Sequence, residues 1–422
     1  MKRFICNSKN PERDAYIWNT IAAMSNSFQT MLLMLVITRM GKLVDSGIFA
    51  IAYAVGNLMM SFGKYGMRNY QVTDVDDKYS YKVYMSSRIV TGALMAAFCV
   101  VYIGYGVAFL QYTPYKALCV LLICMVKWID TMEDVMHGRL QQKGRLDIAS
   151  KILGIRMLGY IILFAVLYLV LGNLLMTELI CLLFSIGIAF YCNRIAICEG
   201  YVEKITFETE HYKEQTWKLL QSCFPLAAGT FLIMYLGNAP KYIIDAVVSD
   251  EVQTCFNIIF MPVFVITLLS SFVFNPILGK VAYHWANQDK KQFWKLVLRQ
   301  IVIIMGITVC AVIFAYVLGV PVLSWIYQVN LDQYCIQLCI LMLAGGLLAI
   351  LNLFNMVITA MRKQQILLWI FGAGTLIMLV FGNKILKVGG LQELCVFYCG
   401  VLFGVGFMLL AVILYTAAKG RK

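Results

Sequence analysis

Twelve apolar runs of about helix-crossing length follow one another along the chain, at 15–38, 44–67, 86–110, 114–137, 149–171, 174–193, 219–238, 252–278, 298–319, 333–360, 366–386 and 394–417. A hydrocarbon core about 30 Å thick takes roughly 20 residues of helix, so each run predicts one membrane crossing. An even number of crossings places both termini on the same side. The fourth run departs from the pattern. Its first half, YKALCVLLICMV (115–126), is almost wholly apolar, yet KWIDTMEDVMH (127–137) follows at once. At 100° per residue, Lys127, Asp130, Glu133, Asp134 and His137 share one arc of about 120°, opposite Trp128, Ile129, Met132, Val135 and Met136. The predicted helix therefore carries a polar stripe over its inner half. Facing that stripe to lipid costs about 2.5–3.5 kcal/mol per charge, so it faces protein or water. Two arrangements satisfy this: Lys127 pairs with Asp130 or Asp134, or the stripe lines a vestibule that opens inward.

Composition agrees with the runs. The 422 residues are 61% hydrophobic and 14% charged, whereas soluble domains average 45–50% and about 25%. The net charge of +13 is mainly a topology signal. With the N-terminus inside, the inner segments hold 27 Lys and Arg against 6 in the outer ones, which predicts N-in and C-in. Such a surface attracts anionic inner-leaflet lipid and implies no nucleic-acid partner. The longest inner connection, about 194–218, separates two halves of six crossings in the same orientation. The expected layout is a cytoplasmic N-terminus (1–14), a six-helix lobe (15–198), a cytoplasmic linker (199–216), a second six-helix lobe (217–418) and a tail (419–422). A parallel duplication of this kind suits a central cavity between lobes.

Other chemistry is sparse. The 14 cysteines form no CxxC pair and fall mostly within apolar runs, which argues against a disulfide framework or a zinc site. There are three histidines (His137, His211, His284), no GxxxxGK[ST] loop and no HExxH, so neither an ATPase nor a zinc hydrolase is expected. Asp74-Val75-Asp76 reads as part of a solvated inner loop rather than a metal-binding pair. No metal or cofactor is expected.

The stretch LVITRMGKLVDSGIFAIAYAVGNLMMSFGKYGMRNYQV, with Arg39, Gly41, Asp45, Gly47, Phe49 and Gly66, resembles the opening of bacterial polysaccharide flippases of the multidrug/oligosaccharidyl-lipid/polysaccharide exporter superfamily. GRLQQKGR after the fourth run and FPLAAGTFLIMYLGNAPKYIID across the seventh are similar to that family too. The resemblance implies an all-α membrane transporter, not an enzyme, acting by alternating access in the cytoplasmic membrane. Its cargo would be an undecaprenyl-diphosphate-linked oligosaccharide repeat unit. It would act as a monomer, with polysaccharide polymerase machinery as a further partner. A diphosphate needs cations, for which Arg39, Arg68, Lys127, Arg156 and Lys241 are the candidates. Asn238 and Asn352 would offer sugar hydrogen bonds. Asp130, Glu133 and Asp134 would couple transport to H+ or Na+, or balance the cations. Two alternatives stand beside this reading: a multidrug exporter of the same superfamily, and a membrane polysaccharide-modifying enzyme, for which only His137 is a candidate.

Overall fold

The computed structural model describes residues 2–73, 78–203, 211–274, 277–361 and 363–419. The Asp74-Val75-Asp76 motif and Asn275 lie outside the described residues. Every regular element among them is helical. They are α1 (Lys2–Cys6), α2 (Pro11–Arg39), α3 (Leu43–Lys64), α4 (Met67–Thr73), α5 (Tyr81–Phe109), α6 (Pro114–Gln142), α7 (Leu146–Leu171), α8 (Leu174–Cys198), α9 (His211–Asp245), α10 (Asp250–Phe274), α11 (Leu278–Ala286), α12 (Lys290–Phe314), a π turn (Ala315–Gly319), α13 (Val320–Tyr327), α14 (Cys335–Ala360) and α15 (Gln365–Lys419).

Local sequence sets the helix starts. Asn10, Thr113, Asn173 and Asp289 each accept a backbone N–H three residues on, and Pro11 and Pro114 occupy first-turn positions that need no donor. Tyr65 and Gly66 both take positive φ (54° and 62°) and divide α3 from α4. A Cβ at Gly66 would lie 2.7 Å from Leu226, so glycine meets both the conformational and the steric demand there.

Ten of these helical stretches are long and apolar enough to cross a membrane. α6 is not among them, because its own charges break the apolar window. α15 counts once although its 55 residues far exceed one crossing, and Gly390 (φ 75°, ψ −167°) interrupts it between the runs expected at 366–386 and 394–417. The ninth run, expected at 298–319, is longer in the structure. Helix continues from Lys290 to Tyr327 through the π turn. Pro321 lacks an N–H and its ring would press on the carbonyl four residues back, and the wider turn before it relieves that conflict.

The chain forms two compact units, Met1–Phe231 and Leu232–Lys422. In the first, α2 packs on α7, α3 on α6, α5 on α6 and α6 on α8. α6 thus packs on several neighbours at once, and its polar face is covered. Close approach depends on small residues: a Cβ at Gly63 of α3 would lie 2.6 Å from Met95 Sδ and 2.9 Å from Thr131 Cγ2. In the second unit α10 and α12 pack on α14, and α14 on α15. Pro262 sits inside α10, where Gly345 of α14 lets the backbones approach.

Candidate functional site

The polar stripe of α6 is buried inside the first unit. Lys127, Asp130, Glu133, Asp134 and His137 are all under a tenth exposed, while Trp128 and Met125 on the other side are exposed. Enclosure leaves the charges one another and their neighbours as solvent. Arg156 of α7, itself 2% exposed, lies 2.6 Å from Asp130 and 2.8 Å from Glu133. Lys127 Nζ is 3.7 Å from Asp130 and 4.6 Å from the centroid of the Tyr53 ring of α3. Glu133 also accepts a hydrogen bond from Asn193 of α8 at 2.6 Å. One centre therefore gathers two cations, two carboxylates, an amide and an aromatic face.

Further toward the C-terminal end of α6 a second centre forms around Asp134. Arg88 of α5, fully buried, donates to Asp134 at 3.0 Å and to the carbonyls of Gly63 and Lys64 that end α3. Arg68 of α4 stands 3.8 Å from Asp134 and donates to Gln141 at 2.9 Å. Removing one member of such a buried set leaves an uncompensated charge, which is far more costly than the net worth of the pair.

Two features of this unit were not singled out in the sequence. Arg88 stands just inside the third apolar run, where it reads as another inner-face cation; its depth depends on the helix ends it caps. Glu178 of α8 is fully buried and accepts from Tyr160 of α7 at 2.7 Å. An acid four residues into the sixth run was the available signal. Asp45, part of the resemblance motif, accepts from Tyr168 at 2.8 Å and from Tyr115 at 3.2 Å, so it ties α3 to α6 and α7.

Arg39 is exposed at the C-terminal end of α2 and is not among the groups gathered on α6. Lys241, Asn238 and Asn352 belong to the second unit. Lys241 of α9 is 7% exposed, with its Nζ 4.9 Å from the ring centroids of both Phe260 and Phe264 of α10. No carboxylate pairs with it among the described residues. Nearby, Gln253 donates to the Lys241 carbonyl and Asn257 to the Gln253 carbonyl, while the side-chain oxygens of both amides have no partner. Asn238 is buried and its amide donates back to the Met234 carbonyl. Asn352 is half-buried on α14.

Around the end of α6 the GRLQQKGR segment is tied down by charge. Glu203 accepts from Arg139 at 2.8 Å and lies 2.9 Å from Lys143. Those bonds, Arg139 first, hold its carboxyl down at about 2. Its folded value is depressed, so its contribution is present above the ordinary glutamate range and is lost as pH falls toward 2. Hydrogen exchange at residues 199–203 is expected to quicken as pH drops from 4.5 to 2, after correction for intrinsic rates. Glu203→Gln is expected to remove that dependence; an unchanged profile in the variant would exclude the tether.

No family model matches the sequence. A curated relative, the capsular polysaccharide biosynthesis protein CapF of Staphylococcus aureus, is 24% identical over 336 residues, covering 79% of this chain and 81% of CapF. Among solved structures, an inward-facing multidrug resistance MATE family transporter of the MOP superfamily is similar with a TM-score of 0.68 at 12% identity, over 95% of this chain and 97% of that one. A mutant of the Vibrio cholerae MATE transporter VcmN gives 0.62 at 11% identity, over 97% and 99%. An outward-facing MATE structure gives 0.57 at 13% identity, over 96% and 97%. With helices long and apolar enough to cross a membrane in both units, the chain is a multi-pass membrane protein with the fold of the MATE family transporters of the MOP superfamily.

Proposed function

We propose that this chain is an exporter of the cytoplasmic membrane that works by alternating access, and that its cargo is anionic: an undecaprenyl-diphosphate-linked oligosaccharide, moved from the inner to the outer leaflet for surface polysaccharide biosynthesis. The MATE fold supports the exporter. Adding α6 to the ten apolar stretches and dividing α15 at Gly390 gives twelve crossings, in keeping with two six-helix lobes and an N-in, C-in orientation.

The observation that carries the cargo reading is Lys241. An ammonium buried against two phenylalanines, with no carboxylate paired to it among the described residues, is an arrangement that a bound anion completes. The α6 cluster points the same way more weakly: Arg68, Arg88, Lys127 and Arg156 face three carboxylates, leaving an excess of positive charge. Because each of Asp130, Glu133 and Asp134 is engaged by an arginine, we assign them charge balance in the resting arrangement; coupling to H+ or Na+ would require one of those pairs to open. The similarity to CapF, whose name refers to capsular polysaccharide, supports a glycan-bearing cargo. A diphosphate cannot cross hydrocarbon unaided, so the protein supplies cations to the head group while the prenyl tail stays in lipid. The transporter acts as a monomer beside polysaccharide polymerase machinery and performs no chemistry on its cargo.

A multidrug exporter is the second reading, and the solved neighbours favour it, since the similar structures reported above are described as multidrug resistance or MATE transporters. Two experiments separate the readings. Depletion in cells is expected to accumulate lipid-linked repeat units in the inner leaflet, with rescue by the wild type. In proteoliposomes, drug efflux driven by a cation gradient without translocation of lipid-linked glycan would replace the lipid cargo with a drug.

A further inference from the structure

The second unit holds an apolar groove of about 700 Å³ that none of the charged groups enters. Its long wall is one continuous stripe: every third or fourth residue from Ile303 through Cys310 and Gly319 to Leu323 faces it, along α12, the π turn and α13. Pro262 of α10 and Met342 of α14 mark the facing walls. No lining residue carries a charge, an amide or a hydroxyl.

The backbone builds this space. Pro262 interrupts the hydrogen-bond ladder of α10, the π turn widens the helix opposite, and Gly306 leaves room where a Cβ would meet nothing within 4 Å. π turns are frequent at functional sites, and the volume falls within the 300–1,000 Å³ usual for ligand sites. Only 11% of the most apolar window of the Lys290–Tyr327 stretch is buried within the protein, so this wall belongs to the bilayer-facing surface. A groove at that depth with no polar lining is filled by hydrocarbon, because an unfilled one forfeits its dispersion contacts.

We propose that the groove binds the isoprenoid tail of the cargo lipid, an inference that rests on the lipid-linked cargo reading above. Length distinguishes this tail from an ordinary acyl chain. Ile303 to Leu323 spans about 30 Å at a rise of about 1.5 Å per residue, whereas an acyl chain confined to one leaflet reaches through about half the core, roughly 15 Å. Spread over that length, the volume admits one chain in cross-section. A single chain longer than a leaflet is what an undecaprenyl lipid supplies.

The test uses the full-length purified protein and undecaprenyl phosphate as probe, with phosphatidylglycerol as competitor. Gly306→Phe, which fills the groove, is expected to weaken undecaprenyl phosphate binding at least tenfold. Gly404→Phe, at another position open to a Cβ but away from the groove, is expected to leave binding unchanged. Photoactivatable undecaprenyl phosphate is expected to label residues 303–323 of the wild type, with the adduct displaced by unlabelled undecaprenyl phosphate and not by phosphatidylglycerol. Unchanged binding by folded Gly306→Phe, labelling elsewhere, or equal displacement by phosphatidylglycerol would overturn the proposal. If Gly306→Phe does not fold, the wild-type labelling decides alone. A finding of drug efflux without lipid translocation would remove the cargo reading while leaving these binding readouts intact, so the two failures are distinguishable.

Discussion

Arg156→Ala is expected to be the most destabilising single substitution in the polar core, lowering unfolding free energy by about 3–5 kcal/mol. Arg156 faces both Asp130 (2.6 Å) and Glu133 (2.8 Å), and truncation leaves Lys127 at 3.7 Å from Asp130 as the remaining nearby counter-charge of that centre. Arg156→Lys is expected to recover much of the loss, since one terminal nitrogen, Nη2, meets both carboxylates and a single ammonium keeps that charge between them. The fourfold variant Lys127→Met, Asp130→Asn, Glu133→Gln, Arg156→Met is expected to melt closer to the wild type than Arg156→Ala does, because it neutralises Lys127 together with the carboxylate it approaches. Thermal unfolding in detergent measures all three. A melting temperature for Arg156→Ala equal to that of the wild type would show that the carboxylates are solvated rather than dependent on Arg156.

Lys241→Met is expected to behave in the opposite way. Removing a buried ammonium that no carboxylate pairs with among the described residues, and substituting a flexible apolar chain of similar length against Phe260 and Phe264, relieves a desolvation cost, so the melting temperature is expected to hold or rise. Binding of the anionic cargo is expected to fall at least tenfold, about 1.4 kcal/mol, with Lys241→Arg retaining more of it than Lys241→Met. The split between stability and binding is the informative result. Normal lipid translocation by Lys241→Met would remove the main support for an anionic cargo; a lower melting temperature together with unchanged binding would make Lys241 a packing residue.

The two substitutions mark how far local pattern reaches. Helical periodicity placed Lys127, Asp130, Glu133, Asp134 and His137 on one face of α6, and the cost of facing charge to lipid required that face to be covered, as it is. Pattern also allowed Lys127 either Asp130 or Asp134 as a partner. In the structure Lys127 approaches Asp130, which it shares with Arg156, and Asp134 turns to Arg88 and Arg68. Nothing local to α6 distinguishes those outcomes, because the deciding groups arrive from α4, α5 and α7.

The same limit explains what went unseen. Arg88 reads as an interfacial cation until the carbonyls ending α3 are placed beside it. Glu178 reads as a stray acid until Tyr160 meets it. The groove along α12 has no sequence signature at all, since its residues look like any lipid-facing stripe until Pro262 and the π turn before Pro321 open a gap between helices.

By itself, then, the sequence determined that the chain is an all-helical membrane protein, where its apolar runs lie, though not how far helix extends beyond them as in the ninth, and that the middle of α6 is shielded from lipid. Those properties follow from hydropathy, helical period and the cost of burying charge, all of which are local. Tertiary structure alone decided which arginine neutralises which carboxylate, that Lys241 has no carboxylate partner among the described residues, and that α10, α12 and α14 part to form a groove. Each of these depends on which faces of distant helices oppose one another, and that is fixed by packing rather than by the order of residues along any one helix.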